Sequence, residues 1–290
     1  MNTYPTVIKW SGSKRLVANR LSKYFTHCET YYEPFVGGGA MMPFARANKG
    51  IASDIIPELI DLWEAIRTNP LLVAEEYRNR WEDLQKRGQD VYYQVRDRFN
   101  QTKNCFDFLF LTRTCVNGLI RYNTQGAFNN SFHLSRPGIH PDTLRSQILL
   151  WSKCIRKFKF FNVDYRECLS DVKMGDFVFL DPPYGGTKDR YTRTEFDLSK
   201  FYAELERLNS VGVKWMLTFD GTAGDRAYNF APPQAIFKYK FNINTGNSSF
   251  TKLMDSRKDM IQESVYMNFD PFHIHTDLFQ DALDEVSVCV

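Results

Sequence analysis

The chain has 290 residues, 43% of them hydrophobic and 24% charged, a balance that fits a globular protein with one large domain or a core plus an insertion. A formal net charge of +3 does not by itself mark a polyanion binder, and six cysteines (28, 105, 115, 154, 168 and 289) with five scattered histidines contain no Cys-x-x-Cys pair, so no metal site is expected. No apolar run is long enough for a membrane span, and Met1 to Pro5 lacks the basic-then-apolar pattern of a leader, so a cytoplasmic location without membrane contact is expected.

Lys9-Trp10-Ser11-Gly12-Ser13-Lys14 precedes a helical pattern through Leu16, Val17, Leu21 and Phe25, with Ser13 as its N-cap. Thr30 to Glu33 reads as a strand, followed by the glycine turn Pro34-Phe35-Val36-Gly37-Gly38-Gly39-Ala40 and a helical stretch from Met41 to Asn48. Glycines at such a turn let backbone approach a ligand closely. The turn is not a full Gly-x-Gly-x-x-Gly, because Met42 holds the last position, and it carries no P-loop lysine. Gly50 to Asp54 is a second strand that ends in an acid. Asp54 lies 17 residues after Gly37, near the spacing at which a carboxylate receives ribose hydroxyls. It could also cap the helix that starts at Pro57.

From Pro57 to Cys115 the pattern is helical and amphipathic, with a break near Gly88. Asn117 to Pro141 loses that periodicity and collects Gly118, Gly126, Pro137 and Gly138, as a loop or hairpin would. Residues 108–141 contain Arg113, Arg121 and Arg136 but no acid, and are rich in Asn, Thr, Ser and aromatics, a composition suited to a polyanion surface. Helical character returns from Pro141 to Ile155. Phe158 to Tyr165 then reads as a strand ending in the pair Asp164-Tyr165.

The stretch with the strongest signal is Asp176 to Tyr184. Phe177 to Leu180 is a short apolar run of the kind that forms a fully buried strand. Two prolines after Asp181 cannot continue a ladder, so the chain must leave the sheet there with a carboxylate and a ring at the strand's carboxyl end, where open α/β sheets bind ligands. Asp-Pro-Pro-Tyr arises by chance in roughly one chain in a thousand of this size, which favours a functional reading over a simple strand end. Gly185 to Phe196, with Lys188, Arg190 and Arg193, reads as an active-site loop. Leu198 to Val211 is a helix, Val213 to Gly221 a buried strand with a turn, and Met260 to Asn268 a last strand; residues 222–258 show no clear pattern. The acidic tail, 271–290, reads as a short helix without an assigned role.

Asp181-Pro182-Pro183-Tyr184 resembles the catalytic tetrapeptide Asp/Asn-Pro-Pro-Tyr/Phe of amino-methyltransferases. An exocyclic amine on a nucleobase is a weak nucleophile because its lone pair is delocalised into the ring. Asp181 and the carbonyl of Pro182 could accept its two hydrogens and draw the nitrogen toward tetrahedral geometry, with Tyr184 as a stacking face.

Further residues match in the same order: Lys9-Trp10-x-Gly12-x-Lys14, Glu33 to Gly39, Asp54, Asn117-Gly118-Leu119, Arg121-Tyr122-Asn123, and Gly126 with Phe128-Asn129. Over residues 7 to about 268 the chain resembles the Dam-type DNA adenine methyltransferases. The resemblance implies a Rossmann-like α/β methyltransferase sheet formed by 1–56 and 145–270, a helical and hairpin target-recognition insertion over 57–144, and a tail over 271–290. It implies S-adenosylmethionine as cofactor, held by Trp10, Lys14 (at the methionine carboxylate), Glu33, Phe35 (near the sulfonium), Gly37, Gly39, Asp54 (on the ribose), Asp164 with Tyr165 (on the adenine) and Asp181. It also implies double-stranded DNA as partner, with Arg121, Asn123 and Asn129 at bases, Arg113 at phosphate and Asn117 as a further DNA contact, and leaves open a cognate restriction endonuclease as a second partner. In one place the chain departs from relatives that modify GATC. Those continue after Phe-Asn with a small or apolar residue, Pro, Phe and Gly, whereas Asn130-Ser131-Phe132-His133 stands here, which points to a different short site. The rival readings are an amino-methyltransferase acting on RNA, cytosine or protein glutamine, and a DNA-binding regulator without catalysis.

Overall fold

The computed structural model describes residues 4–183, 196–223, 226–228, 231–247 and 260–272. Its strands follow in chain order as β1 (Cys28–Glu33), β2 (Ala47–Ser53), β3 (Phe158–Phe161), β4 (Phe177–Leu180), β5 (Lys214–Ala223), β6 (Arg226–Tyr228), β7 (Tyr239–Asn247) and β8 (Met260–Met267). Seven form one sheet in the order β3-β2-β1-β4-β5-β8-β7, with β6 paired to β5. The first five in that order are parallel, and β8 runs antiparallel between β5 and β7. The strand order reverses between β1 and β4, so their carboxyl ends open the crevice that such sheets use for ligands.

Side chains alternate across the sheet and give it two apolar faces. Tyr31, Phe177, Phe179, Met216, Val265 and Met267 belong to one buried cluster, and Tyr32, Val178, Leu180, Trp215, Leu217, Phe219 and Tyr266 to the other. The helices are α1 (Ala18–Leu21), α2 (Pro57–Thr68), α3 (Pro70–Arg87), α4 (Asp90–Thr102), α5 (Cys105–Thr114), α6 (Pro141–Cys154), α7 (Tyr165–Cys168) and α8 (Leu198–Val211). The first cluster runs on without interruption into α2 to α6, through Trp63, Tyr77, Tyr92, Phe99, Phe108 and Trp151.

Local chemistry explains most helix ends. Proline stands in the first turn of α2, α3 and α6, where its missing N–H costs nothing. The Asn104 side chain caps α5 by accepting from the N–H groups of Phe106 (2.9 Å) and Asp107 (3.2 Å). Gly88, with φ +76°, ends α3 at the break expected from sequence.

Several expectations are corrected. The stretch after the glycine turn is no helix: Met42–Phe44 forms one 3-10 turn, and β2 starts at Ala47. Ala45 has extended ψ (120°), and the following residues gain more from parallel pairing with Cys28 to Glu33 than a short helix could give them. The opening helix is split into 3-10 turns at Lys14–Leu16 and Ser22–Tyr24 around α1, and Ser13 makes no cap bond. β7 falls within the stretch that showed no pattern. Tyr184, most of the 185–196 loop and all but the start of the 271–290 tail lie outside the described residues.

The helical layer has a buried ionic knot. Asp107 has no exposed surface and accepts from Arg80 Nε (2.7 Å) and from Arg98 Nε and Nη2 (2.7 and 2.6 Å). Removing one partner of such a group leaves charge uncompensated in a dry interior. Asp107→Ala should therefore lower the unfolding free energy by about 3 kcal/mol, read as a lower urea midpoint in circular dichroism.

Candidate active site

At the carboxyl end of β1 the chain turns through Gly37 and Gly39, both with positive φ (+43° and +66°). A Cβ on Gly37 would lie 2.5 Å from the indole nitrogen of Trp10, and one on Gly39 would run into Met42 and Trp63, so only glycine lets these rings close over the turn. Trp63 Nε1 donates to the Gly37 carbonyl at 3.0 Å. Asp54 ties the ends of β1 and β2 together: Oδ2 accepts from the Gly37 N–H (3.1 Å) and Oδ1 from the Ile56 N–H (3.3 Å). The residue that precedes α2 is Ile56, which makes no side-chain cap, so Asp54 serves the glycine turn more than the helix.

Phe35 leaves the turn toward the second apolar face. Its ring stacks on Tyr165 (centroids 5.4 Å apart, 29° between planes) and meets Phe196 and Phe201 edge-on. Asp164 stands beside this cluster, accepting from the N–H and the Nε of Arg166 at 3.1 and 2.8 Å. Phe35, Tyr165 and Asp164, far apart in sequence, are thus neighbours.

The other face ends in polar groups. Along β1 the inward row runs Tyr31 then Glu33, along β4 Phe177, Phe179 then the 22% exposed Asp181, along β5 Met216 then Thr218, and along the reversed β8 Met267, Val265 then Glu263. Each apolar row therefore finishes in a hydrogen-bonding side chain at the same sheet edge. Lys14, only 5% exposed, reaches into this group, with Nζ 2.8 Å from Asp181 Oδ1, 3.3 Å from Glu263 Oε1 and 3.3 Å from the Gly12 carbonyl. Thr218 Oγ1 also donates to Asp181 Oδ1, at 2.8 Å. With one oxygen engaged twice, Asp181 has its other oxygen without a partner among the described residues. Burial pushes the Asp181 carboxyl above its ordinary range; Lys14 opposes that, Glu263 adds to it, and the hydroxyl of Thr218 favours the charged form. Burial likewise pushes Glu33 up to about 8, against the hydrogen bond it accepts from Tyr31 (2.9 Å) and with the charge of Asp181.

The Lys14 ammonium lies within 3.3 Å of three protein oxygens, one of them on Asp181. Glu33 lies buried beneath Asp181 with Tyr31 as its partner. Thr218 and Glu263 were missed by the sequence reading, although each is a polar residue interrupting the inward row of an expected strand.

The hairpin of the insertion carries two antiparallel bridges, Cys115 to Phe132 and Tyr122 to Phe128. Side chains of the helices hold its backbone. Asn100 brackets Phe128 by donating to its carbonyl (3.1 Å) and accepting from its N–H (2.7 Å), and Tyr92 donates to the Asn130 carbonyl (2.8 Å). Tyr122 donates to Glu58 at 2.8 Å. Asn117 is exposed in the left-handed region (φ +58°), and exposed Arg121 donates through Nε to Asn129 Oδ1 (3.0 Å). Asn123 Oδ1 accepts from Gln125 and Ala127, both at 2.9 Å, which shapes the tip. The base of the hairpin meets the sheet edge: a Cβ on Gly118 would lie 2.5 Å from Lys9 Cδ, and Lys9 adjoins Trp10.

Arg113 is the exception among the expected DNA contacts. It is 6% exposed, donates to the carbonyls of Val7 (2.7 Å) and Thr6, and is lowered to about 10 by burial. A guanidinium spent on two buried carbonyls cannot meet a backbone phosphate, and it ties α5 to the N-terminal segment.

Among the described residues there is no cluster suited to a metal ion and no helix long and apolar enough to cross a membrane. Comparison with known proteins agrees with the site. The chain is 28% identical to the type II methyltransferase M.MjaIII of Methanocaldococcus jannaschii, over 90% of its own length and 98% of that protein's. It is 27% identical to the retron Ec67 DNA adenine methylase of Escherichia coli, over 92% and 94% of the two chains, and 26% identical to the DNA adenine methylase of Salmonella typhi, over 89% and 95%. Residues 10–229 match the family of D12 class N6 adenine-specific DNA methyltransferases, a span that includes the glycine turn, Asp54, the hairpin and Asp181. The chain belongs to this family, and it is an adenine-specific DNA methyltransferase with a Rossmann-like methyltransferase fold.

Proposed function

We propose that this enzyme uses S-adenosylmethionine to methylate the 6-amino group of an adenine flipped out of a short duplex site, with Asp181 as acceptor for the target amine. The observation that carries this reading is Asp181 itself: at the switch between β1 and β4, one carboxylate oxygen is fixed by Lys14 and Thr218 and the other is left to receive a donor. The carbonyl of Pro182, rigid in direction, takes the second amine hydrogen, and Tyr184 stacks on the base. Hydrogen bonding of both N–H groups draws the nitrogen toward tetrahedral geometry and turns its lone pair to the methyl group, and the nitrogen loses one proton after attack.

The remaining residues suit the methyl donor. Asp54 fits a ribose diol, Phe35 and Tyr165 offer an aromatic wall beside Asp164 for an adenine, and the Cβ-free turn at Gly37 and Gly39 admits close approach, with Trp10 across it. When bound, S-adenosylmethionine supplies an electrophilic methyl group on a positively charged sulfur. Acids at this edge, Asp54, Asp164 and Asp181, favour a cation there.

Residues 57–144 form the target-recognition part in this reading. Arg121, Asn123 and Asn129 have side chains that read purine edges in the major groove, with Asn117 beside them. The target is a site other than GATC, consistent with Asn130 to His133. A companion restriction endonuclease acting on the same site and a cytoplasmic location belong to this reading as well.

Single-molecule sequencing of plasmid DNA from cells expressing the chain should show methylated adenine in one short motif. Asp181→Ala should abolish that signal while S-adenosylmethionine binding by calorimetry stays within about tenfold; a methylation signal that survives the substitution would remove Asp181 from the chemistry. Arg121→Ala should lower discrimination against one-base variants of the motif by about tenfold or more, measured as the ratio of kcat/KM values, with cofactor affinity little changed. Unchanged ratios would take Arg121 out of base reading.

A further inference from the structure

Glu263 on β8 lies outside residues 10–229, the part of the chain that matches the family. We propose that Glu263 is a positioning residue for methyl transfer, acting through Lys14 on Asp181. The reasoning starts with Lys14, whose ammonium sits at the end of a flexible four-carbon stem on a segment outside the sheet. Gly12 belongs to that same segment and cannot fix the stem against the sheet. Two sheet residues do so: Asp181 beyond the end of β4 and Glu263 on β8, at 2.8 and 3.3 Å. With Glu263 present the ammonium is triangulated, and Asp181 Oδ1 is pinned between Lys14 and Thr218. Its other oxygen then has one direction in which to accept.

Ionisation is the second half of the argument. A protonated Asp181 would present an O–H to the target amine, where an acceptor is needed. Among the described residues, the groups facing Asp181 are Lys14 from the N-terminal segment, Thr218 from β5, Glu263 from β8 and Glu33 from β1, with Tyr31 behind Glu33. Glu263 therefore has two separable effects. Its oxygen anchors Lys14, which keeps Asp181 charged and aimed, while its negative charge makes Asp181 easier to protonate. Glutamine at position 263 keeps an acceptor oxygen and deletes the charge; leucine deletes both.

This inference rests on Asp181 as the amine acceptor, so the test carries its own control. Single-turnover methyl transfer would be measured across the acid limb of the pH profile for the full chain, with Glu263→Gln, Glu263→Leu and Asp181→Ala in parallel. Activity needs ionised Asp181 and falls as pH drops through its pKa. Glu263→Gln should thus move the acid limb to lower pH, with a plateau rate down roughly threefold. Glu263→Leu should lower the plateau about thirtyfold while DNA affinity stays within about threefold. An acid limb of Glu263→Gln that coincides with the parent's or moves to higher pH overturns the proposal, as does a parental rate in Glu263→Leu. The near-isosteric glutamine keeps the test valid should leucine impair folding. A parental rate in Asp181→Ala would overturn the underlying reading instead.

Discussion

The polar end of this sheet is organised around a carboxylate that lies largely shut off from water against a buried ammonium. Asp181 follows directly on a strand with no exposed side chain, and its ordinary fate there would be protonation. A lysine and a threonine meet it on one oxygen, where both favour the charged form against burial, and a second acid nearby acts the other way.

The sheet explains why these groups can meet. Four strands deliver apolar rows in register, and each row ends in one polar residue at the same edge, so the charges cap a dry core without interrupting it. The opposite face ends in rings, Phe35, Tyr165, Phe196 and Phe201. The strand-order reversal between β1 and β4 thus has chemically different flanks, one of hydrogen-bonding and charged groups and the other of aromatic rings.

Much of this was legible in the sequence because it rests on short-range rules. An apolar run followed by Asp181 and two prolines ends a buried strand in any context, and the glycines of residues 37–39 mark a turn that no side chain could share. Asp54 follows directly on its expected strand, whereas β3 stops at Phe161, short of the expected end, and Asp164 caps α7. What could not be read was set by distant partners. Met41 to Asn48 has helical character in isolation, but pairing with β1 decides it. Arg113 looked like a phosphate ligand among polar neighbours until the N-terminal carbonyls closed on it. Lys14 is not visibly internal without β4 and β8, and Glu263 gains meaning only when an antiparallel strand brings it back beside β5. Tertiary contact overrode composition in each instance.

The burial of Arg113 has a consequence for anyone who would exchange recognition elements between enzymes of this kind. The carbonyls of Thr6 and Val7 are ligands of a helix in the insertion, and the chain runs from them through Lys9, against Gly118, to Trp10. Residues 57–144 therefore do not lift out alone: a graft cut at those bounds would strand a buried guanidinium and part the hairpin from its floor, so the strap from Tyr4 to Trp10 has to be carried along with the helices.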